Sequence, residues 1–243
     1  MARRTIDVDK GHDGAGTSAE GGRPALSRPS SLASEVYDAI LGQIMSLRIP
    51  PRARITVDSL ARELNVSQTP IREALSRLEA EGLVVKTHLV GYSAAPQMTL
   101  KQFDELYELR LLLEPPGARK AAEALDEAAL AGLRTLAETM ARREEGTDER
   151  MRYAQFARQD AEFHDRIILL AGNELVRETL ARLHIHVQIF RLLFHSRVTE
   201  DAIEEHDRIM AALARRDGEE AADAMRRHIL RSRDRLRPSV DPG

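Results

Sequence analysis

Residues 60–84 read LARELNVSQTPIREALSRLEAEGLV, and this stretch decides the fold of the N-terminal part of the chain. Its apolar residues recur every three or four positions on both sides of Asn65, which is the spacing of two short helices. Asn65 tolerates the left-handed backbone that ends a helix, Ser67 is an N-cap residue that starts one, and Gly82 ends it. The second of these helices is predicted to bury Ile71, Leu75 and Leu78.

The flanking segments complete a small domain. Residues 32–47 also place an apolar residue at every third or fourth position, which predicts a helix that the following prolines end. Residues 83–87 and 92–95 have the composition of two short strands around a turn at Gly91. Three helices followed by a β-hairpin form a winged helix-turn-helix, which we expect over residues 31–96. Residues 1–30 carry too few apolar residues to offset their ordering entropy and are predicted to be a disordered tail.

Residues 97–236 are predicted to form an all-α domain. Pro115 and Pro116 fall inside its first helix and are expected to kink it, since each removes a backbone donor. Residues 237–243 are predicted to be a second tail. The fold class is therefore mainly α, an N-terminal winged helix-turn-helix with a C-terminal six-helix bundle. The six helices are predicted at residues 99–124, 127–144, 149–171, 174–196, 199–216 and 218–236.

Composition excludes several classes of function. The 243 residues include no Cys, so disulfides, thiolate metal sites and a Cys nucleophile are excluded. The apolar runs are far shorter than a membrane span and the N-terminus has no signal-peptide stretch, so we expect a soluble cytoplasmic protein without a membrane partner. The net charge is −3, and residues 31–96 hold seven basic and seven acidic residues. Binding to DNA would therefore rest on the placement of a few arginines and on dimer symmetry.

The third predicted helix begins with residue types that read DNA. Ser67 and Thr69 carry hydroxyl groups that donate to phosphates or meet base edges. The amide of Gln68 pairs with adenine, and the guanidinium of Arg72 pairs with guanine or a phosphate. The structural alternatives are an N-cap role for Ser67 and, for Arg72, an ion pair with Glu73 or with a neighbouring helix. The predicted DNA-contacting residues are Arg54, Ser67, Gln68, Thr69, Arg72, Arg77 and Gly91.

Residues 60–84 resemble the DNA-binding domain of the GntR family of bacterial transcription regulators. The sequence departs from that family at two positions, because Gln68 stands where members often have Arg and Arg52 where they often have Gly. The resemblance implies a regulator that binds double-stranded DNA. A homodimer would read a palindromic operator with its two recognition helices about 34–36 Å apart.

Four polar residues stand out in the helical domain because their neighbours in the sequence are largely apolar. Asp160 and His164 are four residues apart and share one helical face, while His206 and His228 lie on the two last helices. Three imidazoles and one carboxylate suit Zn, Ni, Co, Mn or Fe. His184 and His186 are two residues apart and do not share a face, so either contacts an effector only if it points inward.

Residues 160–164, 171–173, 205–213 and 221–229 resemble the FCD ligand-binding domain of the FadR subfamily. The resemblance implies that Asp160, His164, His206 and His228 bind a divalent metal, with zinc the first candidate. Six predicted helices rather than seven favour the VanR-like branch.

The same resemblance assigns two residues to the effector. Arg110 matches a position often turned into the cavity, where its guanidinium would hold a carboxylate through two bonds. Its alternative is an ion pair with Glu114 on the same helix. Asn173 matches a position near the cavity, and its alternative is an ordinary helix break after Gly172.

Three functions remain open from the sequence. The first is a metabolite-responsive transcription regulator, a dimeric repressor whose operator binding changes when a small organic acid binds at the metal. The second is a constitutive DNA-binding regulator with a purely structural metal. The third is a metal-dependent hydrolase, because an Asp/His₃ site with open positions activates water. Against the hydrolase, no general base is evident beside the cluster, and the N-terminal domain would have no role.

Overall fold

The computed structural model of the protein describes residues 32–142 and 148–240. The predicted tail at residues 1–30 and the predicted helix break at residues 146–147 lie outside these residues. The N-terminal unit consists of α1 (Leu32–Met45), β1 (Arg54–Ile55), α2 (Val57–Glu63), α3 (Gln68–Ala80), β2 (Val84–Thr87) and β3 (Gly91–Ala94). The predicted winged helix-turn-helix is thereby confirmed.

The wing contains one more strand than the sequence predicts. β3 lies between β1 and β2 and is antiparallel to both, with Ile55 opposite Tyr92 and Val84 opposite Ala94. These four side chains are buried and close the small core formed by the three helices. β1 has two residues, too few to show an alternating pattern of apolar and polar side chains, so the sequence does not predict it.

The helix ends of this unit follow the predicted chemistry. Asn65 and Gly82 both adopt left-handed backbone, with φ of 52° and 70°. On α3, the face that packs inward carries Ile71, Leu75 and Leu78, each with no exposed surface. The left-handed Asn65 lies in the turn between α2 and α3, and the left-handed Gly82 lies between α3 and β2.

Within the described residues, the C-terminal domain has seven α-helices rather than the predicted six. The predicted helix at residues 174–196 is two helices, because His184 adopts left-handed backbone with φ of 45° and interrupts the helical hydrogen bonds. The helix count that favours the VanR-like branch therefore does not hold. The seven are α4 (Leu100–Ala124), α5 (Glu127–Ala141), α6 (Glu149–Leu170), α7 (Glu174–Arg182), α8 (Ile185–Phe190), α9 (Ser196–Ala214) and α10 (Gly218–Leu236).

The first helix of this domain is not ended by its two prolines. α4 continues through Pro115 and Pro116, and Gly117 directly after them lets α6 approach closely, since a Cβ at Gly117 would lie 2.4 Å from Ile168 Cδ1. At the C-terminus, Arg237–Ser239 form a 3₁₀ turn and Val240 is buried. The predicted tail at residues 237–243 is therefore wrong for residues 237–240, because the apolar side chain of Val240 packs into the core.

The two domains pack against each other through α1, which contacts both α3 and α6. Asp38 of α1 accepts a hydrogen bond from Arg158 of α6 at 2.6 Å, and a Cβ at Gly42 would meet the backbone of Arg150 at 3.7 Å. The buried apolar residues of both domains form one continuous core. Among the described helices, none combines the length and the apolar character that crossing a bilayer requires.

Candidate nucleic-acid interface and metal centre

The predicted DNA-reading side chains of α3 lie on the exposed surface at its N-terminal end. Gln68 Nε2 donates to Asp58 Oδ1 of α2 at 2.6 Å, and Arg72 Nη2 donates to Gln68 Oε1 at 3.2 Å. This short chain of hydrogen bonds orients the amide and the guanidinium without burying either of them. Both groups therefore stay accessible to base edges, and part of their conformational entropy is already lost before binding.

Ser67 stands at the N-cap position of α3 with extended backbone, but its side chain makes no cap hydrogen bond within the described structure. The backbone closes the preceding turn at the end of α2, where the N–H of Val66 donates to Ala61 O at 3.0 Å. The hydroxyl of Ser67 and that of the exposed Thr69 are therefore free of the structural role that the alternative assigns to a cap.

The three remaining predicted residues surround this group in different ways. Arg54 is exposed at the start of β1, and Gly91 is exposed at the start of β3 with φ of 104°, a backbone that favours glycine. Arg77 lies about 13 Å further along the helix axis than Gln68. Its guanidinium sits 4.1 Å from the centroid of the Tyr37 ring of α1, a cation–π contact that ties it to the domain core.

The structure brings the four predicted metal ligands together in the interior of the C-terminal domain. Asp160 and His164 project from α6, His206 from α9 and His228 from α10, and all four are at most 3% exposed. One ring nitrogen from each histidine lies within 4.8 Å of the other two. Asp160 Oδ1 lies 3.3 Å from His206 Nε2.

Four buried atoms of Asp160, His164 and His206 lack hydrogen-bond partners among the described residues. They are Asp160 Oδ1, His164 Nε2 and both ring nitrogens of His206. An unsatisfied buried polar group costs roughly 1–3 kcal/mol. One ion can meet Asp160 Oδ1, His164 Nε2 and one of the two nitrogens of His206, so these residues favour a compensating charge between them. A divalent cation between imidazole and carboxylate ligands supplies that charge, and this donor set fits Zn, Ni, Co, Mn or Fe.

Two buried glutamates orient two of the histidines. His164 Nδ1 lies 2.6 Å from Glu114 Oε2, and His228 Nδ1 lies 2.9 Å from Glu205 Oε2. Each bond fixes the ring so that Nε2 is turned away from the glutamate, which is the usual arrangement around histidine ligands. The sequence predicts Glu114 only as an ion-pair partner of Arg110, and it gives no sign of the role of Glu205.

Burial sets the protonation states of these groups. It lowers the pKa of His164 and His228 and holds the pKa of His206 well below its usual value, and neighbouring histidines add to the effect. Burial alone would raise the pKa of Asp160, but the hydrogen bond and charge of His186 hold it far below the usual value. Neutral imidazoles and an ionised carboxylate are the forms that bind a divalent metal.

His186 of α8 joins this group as a fifth polar residue. Its Nδ1 lies 2.8 Å from Asp160 Oδ2, and its ring stacks on that of His164 with centroids 4.2 Å apart. The left-handed break at His184 turns the chain so that His186 points inward. The sequence analysis expects His186 to contact an effector only if it points inward, and His186 has that orientation.

Arg110 of α4 is completely buried beside the centre. Its Nε donates to Glu114 Oε1 at 2.7 Å, so the ion pair that the sequence offers as an alternative is present. Its Nη1, however, has no hydrogen-bond partner among the described residues. The space next to it, which Asp160 and His228 also line, is about 10 Å³ and has room for roughly one water molecule.

The structure places Asn173 outside this group. Asn173 is exposed and caps α7, with its Oδ1 accepting a hydrogen bond from the backbone N–H of Val176 at 3.2 Å. A side chain that ends its reach at the first turn of a surface helix does not extend to the buried centre. The helix-break alternative therefore describes Asn173.

α8 also connects the centre to the DNA-binding domain. Two residues after His186, Gln188 Nε2 donates to the carbonyl of Gly82 at 3.1 Å, just beyond the end of α3. Arg191, at the end of α8, donates from Nη2 to the carbonyl of Ala95 at 2.7 Å, just beyond β3. Arg191 is 1% exposed, and burial lowers its pKa to about 10. A short helix thus touches both the polar centre and the winged unit.

This fold and these two sites define a class of protein, a winged helix-turn-helix DNA-binding domain joined to a helical domain with a buried polar centre. The chain belongs to the GntR family. The family described as "Bacterial regulatory proteins, gntR family" matches residues 32–92, and the FCD domain matches residues 105–231. The protein is a DNA-binding transcription regulator and not an enzyme, so the hydrolase alternative is wrong.

Similar proteins match most of the length of this chain. The Nta operon transcriptional regulator of Aminobacter aminovorans is 31% identical over 193 residues, which are 79% of this chain and 88% of that protein. The probable D-xylose utilization operon transcriptional repressor of Paenarthrobacter nicotinovorans is 31% identical over 201 residues, 82% of this chain and 86% of that one. The solved structure of E. coli McbR/YncC shares the fold, with a TM-score of 0.60 at 23% identity over 85% of this chain and 97% of that chain.

Proposed function

We propose that this regulator is a homodimeric repressor that acts in the cytoplasm and whose binding to a palindromic operator changes when a small organic acid binds at a divalent-metal centre. The observation that carries the proposal is the group of buried polar atoms without hydrogen-bond partners on Asp160, His164 and His206, three residues that can each turn one atom toward the same ion. Such a cluster is costly in a protein that only binds DNA, and a metal removes the cost.

The metal would be held by Asp160, His164, His206 and His228, with zinc the first candidate for this donor set. When bound, it supplies a positive charge that attracts the carboxylate of an effector. Arg110 Nη1 is a second buried donor beside the same centre, and a guanidinium holds a carboxylate well. Together these groups favour an anionic oxygen ligand over a neutral or cationic one.

For DNA, we assign the major-groove contacts to Ser67, Gln68, Thr69 and Arg72, and the backbone contacts to Arg54 and the wing at Gly91. Arg77 would contact a phosphate while its guanidinium stays stacked on the ring of Tyr37. Residues 31–96 would be the DNA-binding domain and residues 97–236 the effector domain. Because residues 31–96 carry balanced charge, a single copy would bind weakly, and two copies on a palindrome would double the contacts.

Effector binding would reach the DNA through α8. A ligand that changes the geometry at His186 or Asp160 moves the start of this helix, and the contacts of Gln188 with Gly82 and of Arg191 with Ala95 pass the movement to the winged unit. The spacing of two recognition helices in a dimer is sensitive to such a shift, because both half-sites must be met at once. The ligand acts only as far as it binds the two arrangements differently.

Fluorescence anisotropy on the DNA upstream of the protein's own gene tests the proposal, with the metal content of each sample measured. Wild-type protein is expected to bind one divalent ion per chain, to bind this DNA specifically, and to respond to carboxylic acids only when metal-loaded. His206→Ala should lose the ion and the acid response and keep DNA binding. The control His195→Asn changes an exposed histidine to another N-cap residue and should keep all three properties. Absence of sequence-specific DNA binding would overturn the proposal.

A second candidate is a constitutive regulator whose metal is purely structural. The observation that favours it is the space of about 10 Å³ beside Arg110, which is too small for an organic acid. In that case removing the metal lowers thermal stability, and no acid changes DNA binding. The same titrations therefore separate the two candidates.

A further inference from the structure

A cavity of about 330 Å³ lies between α6, α7 and α8 and reaches the polar centre. His164 and His186 line its inner end. Most of its wall is apolar and comes from Ala161, Ile168, Leu180, Ala181, Ile185 and Val187. We call this space the α7 cavity. Its volume falls in the range of roughly 300–1,000 Å³ that is usual for small-molecule sites.

Between the described residues, the α7 cavity combines room for a ligand body with contact to the polar centre. The space beside Arg110 is about 10 Å³. A cavity of about 410 Å³ lies between α5, α6 and α9, but neither the buried histidines nor Asp160 line it. An effector that touches the centre and has a body larger than a few atoms is therefore accommodated on the side of His164 and His186.

The charges around the α7 cavity limit the ligand to one acid group. Arg177, the arginine among its described lining residues, donates to both carboxylate oxygens of Asp165 at 2.9 and 3.1 Å. Glu162 is paired in turn with Arg166. Arg177 is therefore not free to hold a second carboxylate, and the carboxylates of Glu162 and Asp165 on the same wall would repel one. At the inner end, the partnerless Nε2 of His164 marks the place where the metal supplies positive charge.

α7 is a wall that moves at small cost. This helix, whose residues are all described, buries none of its side chains. It lies between two left-handed residues, Gly172 with φ of 71° and His184 with φ of 45°. The ion pair between Arg177 and Asp165 ties it to α6. An element with so few buried contacts opens locally far below the free energy of global unfolding, so a ligand can enter beneath it.

We propose that the α7 cavity receives a monocarboxylic acid with a compact apolar body, either aryl or branched alkyl. The carboxylate points toward the metal centre and the body packs against Ile168, Leu180 and Val187. This assignment rests on the proposed function, since the metal supplies the charge that the carboxylate meets. It narrows the effector from any small organic acid to one with a single acid group and an apolar remainder.

Isothermal titration of the zinc-loaded, full-length protein tests this class of ligand. The probes are phenylacetate, benzoate and isovalerate, with phenylacetamide as the neutral analogue of phenylacetate and citrate as a polar acid with three carboxylates. At least one of the three monocarboxylates is expected to bind. Phenylacetamide should bind roughly 10- to 100-fold more weakly than phenylacetate, because it lacks a charge-assisted contact. Citrate should bind more weakly than the best monocarboxylate.

A matched pair of variants on α7 locates the site. Leu180→Trp fills the α7 cavity from a helix without buried residues, and it should weaken binding of the best probe about tenfold or more. Leu175→Trp makes the same change at a side chain that is 76% exposed and does not line the cavity, and it should leave binding unchanged. Zinc content and the unfolding midpoint of both variants report whether the centre and the fold are intact.

The outcomes separate this inference from the proposed function. If the protein holds zinc and binds its operator, but none of the monocarboxylates binds, the ligand class is wrong and the proposed function stands. Equal binding of phenylacetate and phenylacetamide, or tighter binding of citrate, also overturns the ligand class. If Leu180→Trp binds the best probe as wild type does, the site is elsewhere. Loss of operator binding in the wild-type protein overturns the proposed function itself.

Discussion

The N-terminal end of α3 and the centre of the C-terminal domain place their polar groups in opposite environments. Gln68 and Arg72 are exposed and are oriented by single hydrogen bonds that start at Asp58. His164 and His206 are almost completely buried, and their free nitrogens face one another. Exposed groups cost little free energy when no DNA is bound. Buried groups destabilise the fold until a charge compensates them, so the two regions should respond to mutation in different quantities.

The largest expected effect comes from a buried carboxylate. Glu114→Ala removes the partner of both Arg110 and His164, and it leaves a completely buried guanidinium without an anion. The free energy of unfolding should fall by about 3–5 kcal/mol, measured by urea denaturation. Glu105→Ala on the same helix removes an exposed ion pair with Lys101 and should cost less than about 0.5 kcal/mol. A loss below about 1 kcal/mol in Glu114→Ala would mean that Arg110 is compensated by another group.

The contrast between the regions also explains what the sequence can predict. The winged unit follows from local signals, since the residues that end its helices and cover its core lie within one continuous stretch. The metal ligands follow from a resemblance. Its local support is limited to the spacing of Asp160 and His164 and to the largely apolar neighbours of the four residues. Glu114, Glu205 and His186 act on partners that are 50, 23 and 26 residues away in the chain. Only the packing of five helices, α4, α6, α8, α9 and α10, brings these residues together.

The prediction of one helix over residues 174–196 is wrong at His184 for a similar reason. The pattern of apolar residues over 174–196 is continuous enough to predict one helix, and nothing local requires a left-handed residue at His184. The break is favoured by the tertiary contacts that follow, because it turns His186 toward Asp160 and Gln188 toward Gly82. Distant contacts can outweigh helix propensity, which differs by only about 1 kcal/mol or less per ordinary residue.

Metal and pH together give the next largest effect. In the metal-free protein, burial lowers the pKa of His164, His206 and His228 below the usual value of about 6.5. The unfolded chain then takes up protons first as the pH falls. Their contribution to stability is therefore full above about pH 6.5 and is lost progressively below it. The lowered pKa of Asp160 acts in the same direction at more acidic pH.

Zinc should add to stability over the same range. At a concentration about 100 times its Kd it adds ~2.7 kcal/mol near neutral pH, and less in acid, because protons compete for the imidazoles. Urea denaturation with zinc and with a chelator, at about pH 7.5 and about pH 5.5, measures both effects. His206→Ala should remove the response to zinc. Identical unfolding curves with zinc and chelator at neutral pH would show that the centre holds no metal.

A change at the exposed site should have the opposite signature. Arg72→Ala removes an exposed guanidinium that donates a hydrogen bond to Gln68. Operator binding should therefore weaken by about 1–3 kcal/mol, and the free energy of unfolding should change by less than about 0.5 kcal/mol. Anisotropy with operator DNA and with scrambled DNA gives the specific part of the loss. Arg134→Ala makes the same charge change on the exposed surface of α5 and should leave both quantities unchanged. A large loss of stability in Arg72→Ala would show that Arg72 stabilises the fold, as the buried polar residues do.

The smallest expected effect concerns Ser67, which has the position of an N-cap residue but makes no cap hydrogen bond among the described residues. Ser67 stands at an N-cap and makes no cap hydrogen bond, whereas Asp126 caps α5 by accepting from the backbone N–H of Ala129 at 2.7 Å. Asp126→Ala should therefore cost about 1 kcal/mol of stability. Ser67→Ala should cost under about 0.5 kcal/mol and weaken operator binding by up to about 1 kcal/mol, the value of one neutral hydrogen bond. Equal losses of stability in the two variants would show that Ser67 caps α3 in solution, and its hydroxyl would then belong to the fold rather than to the DNA.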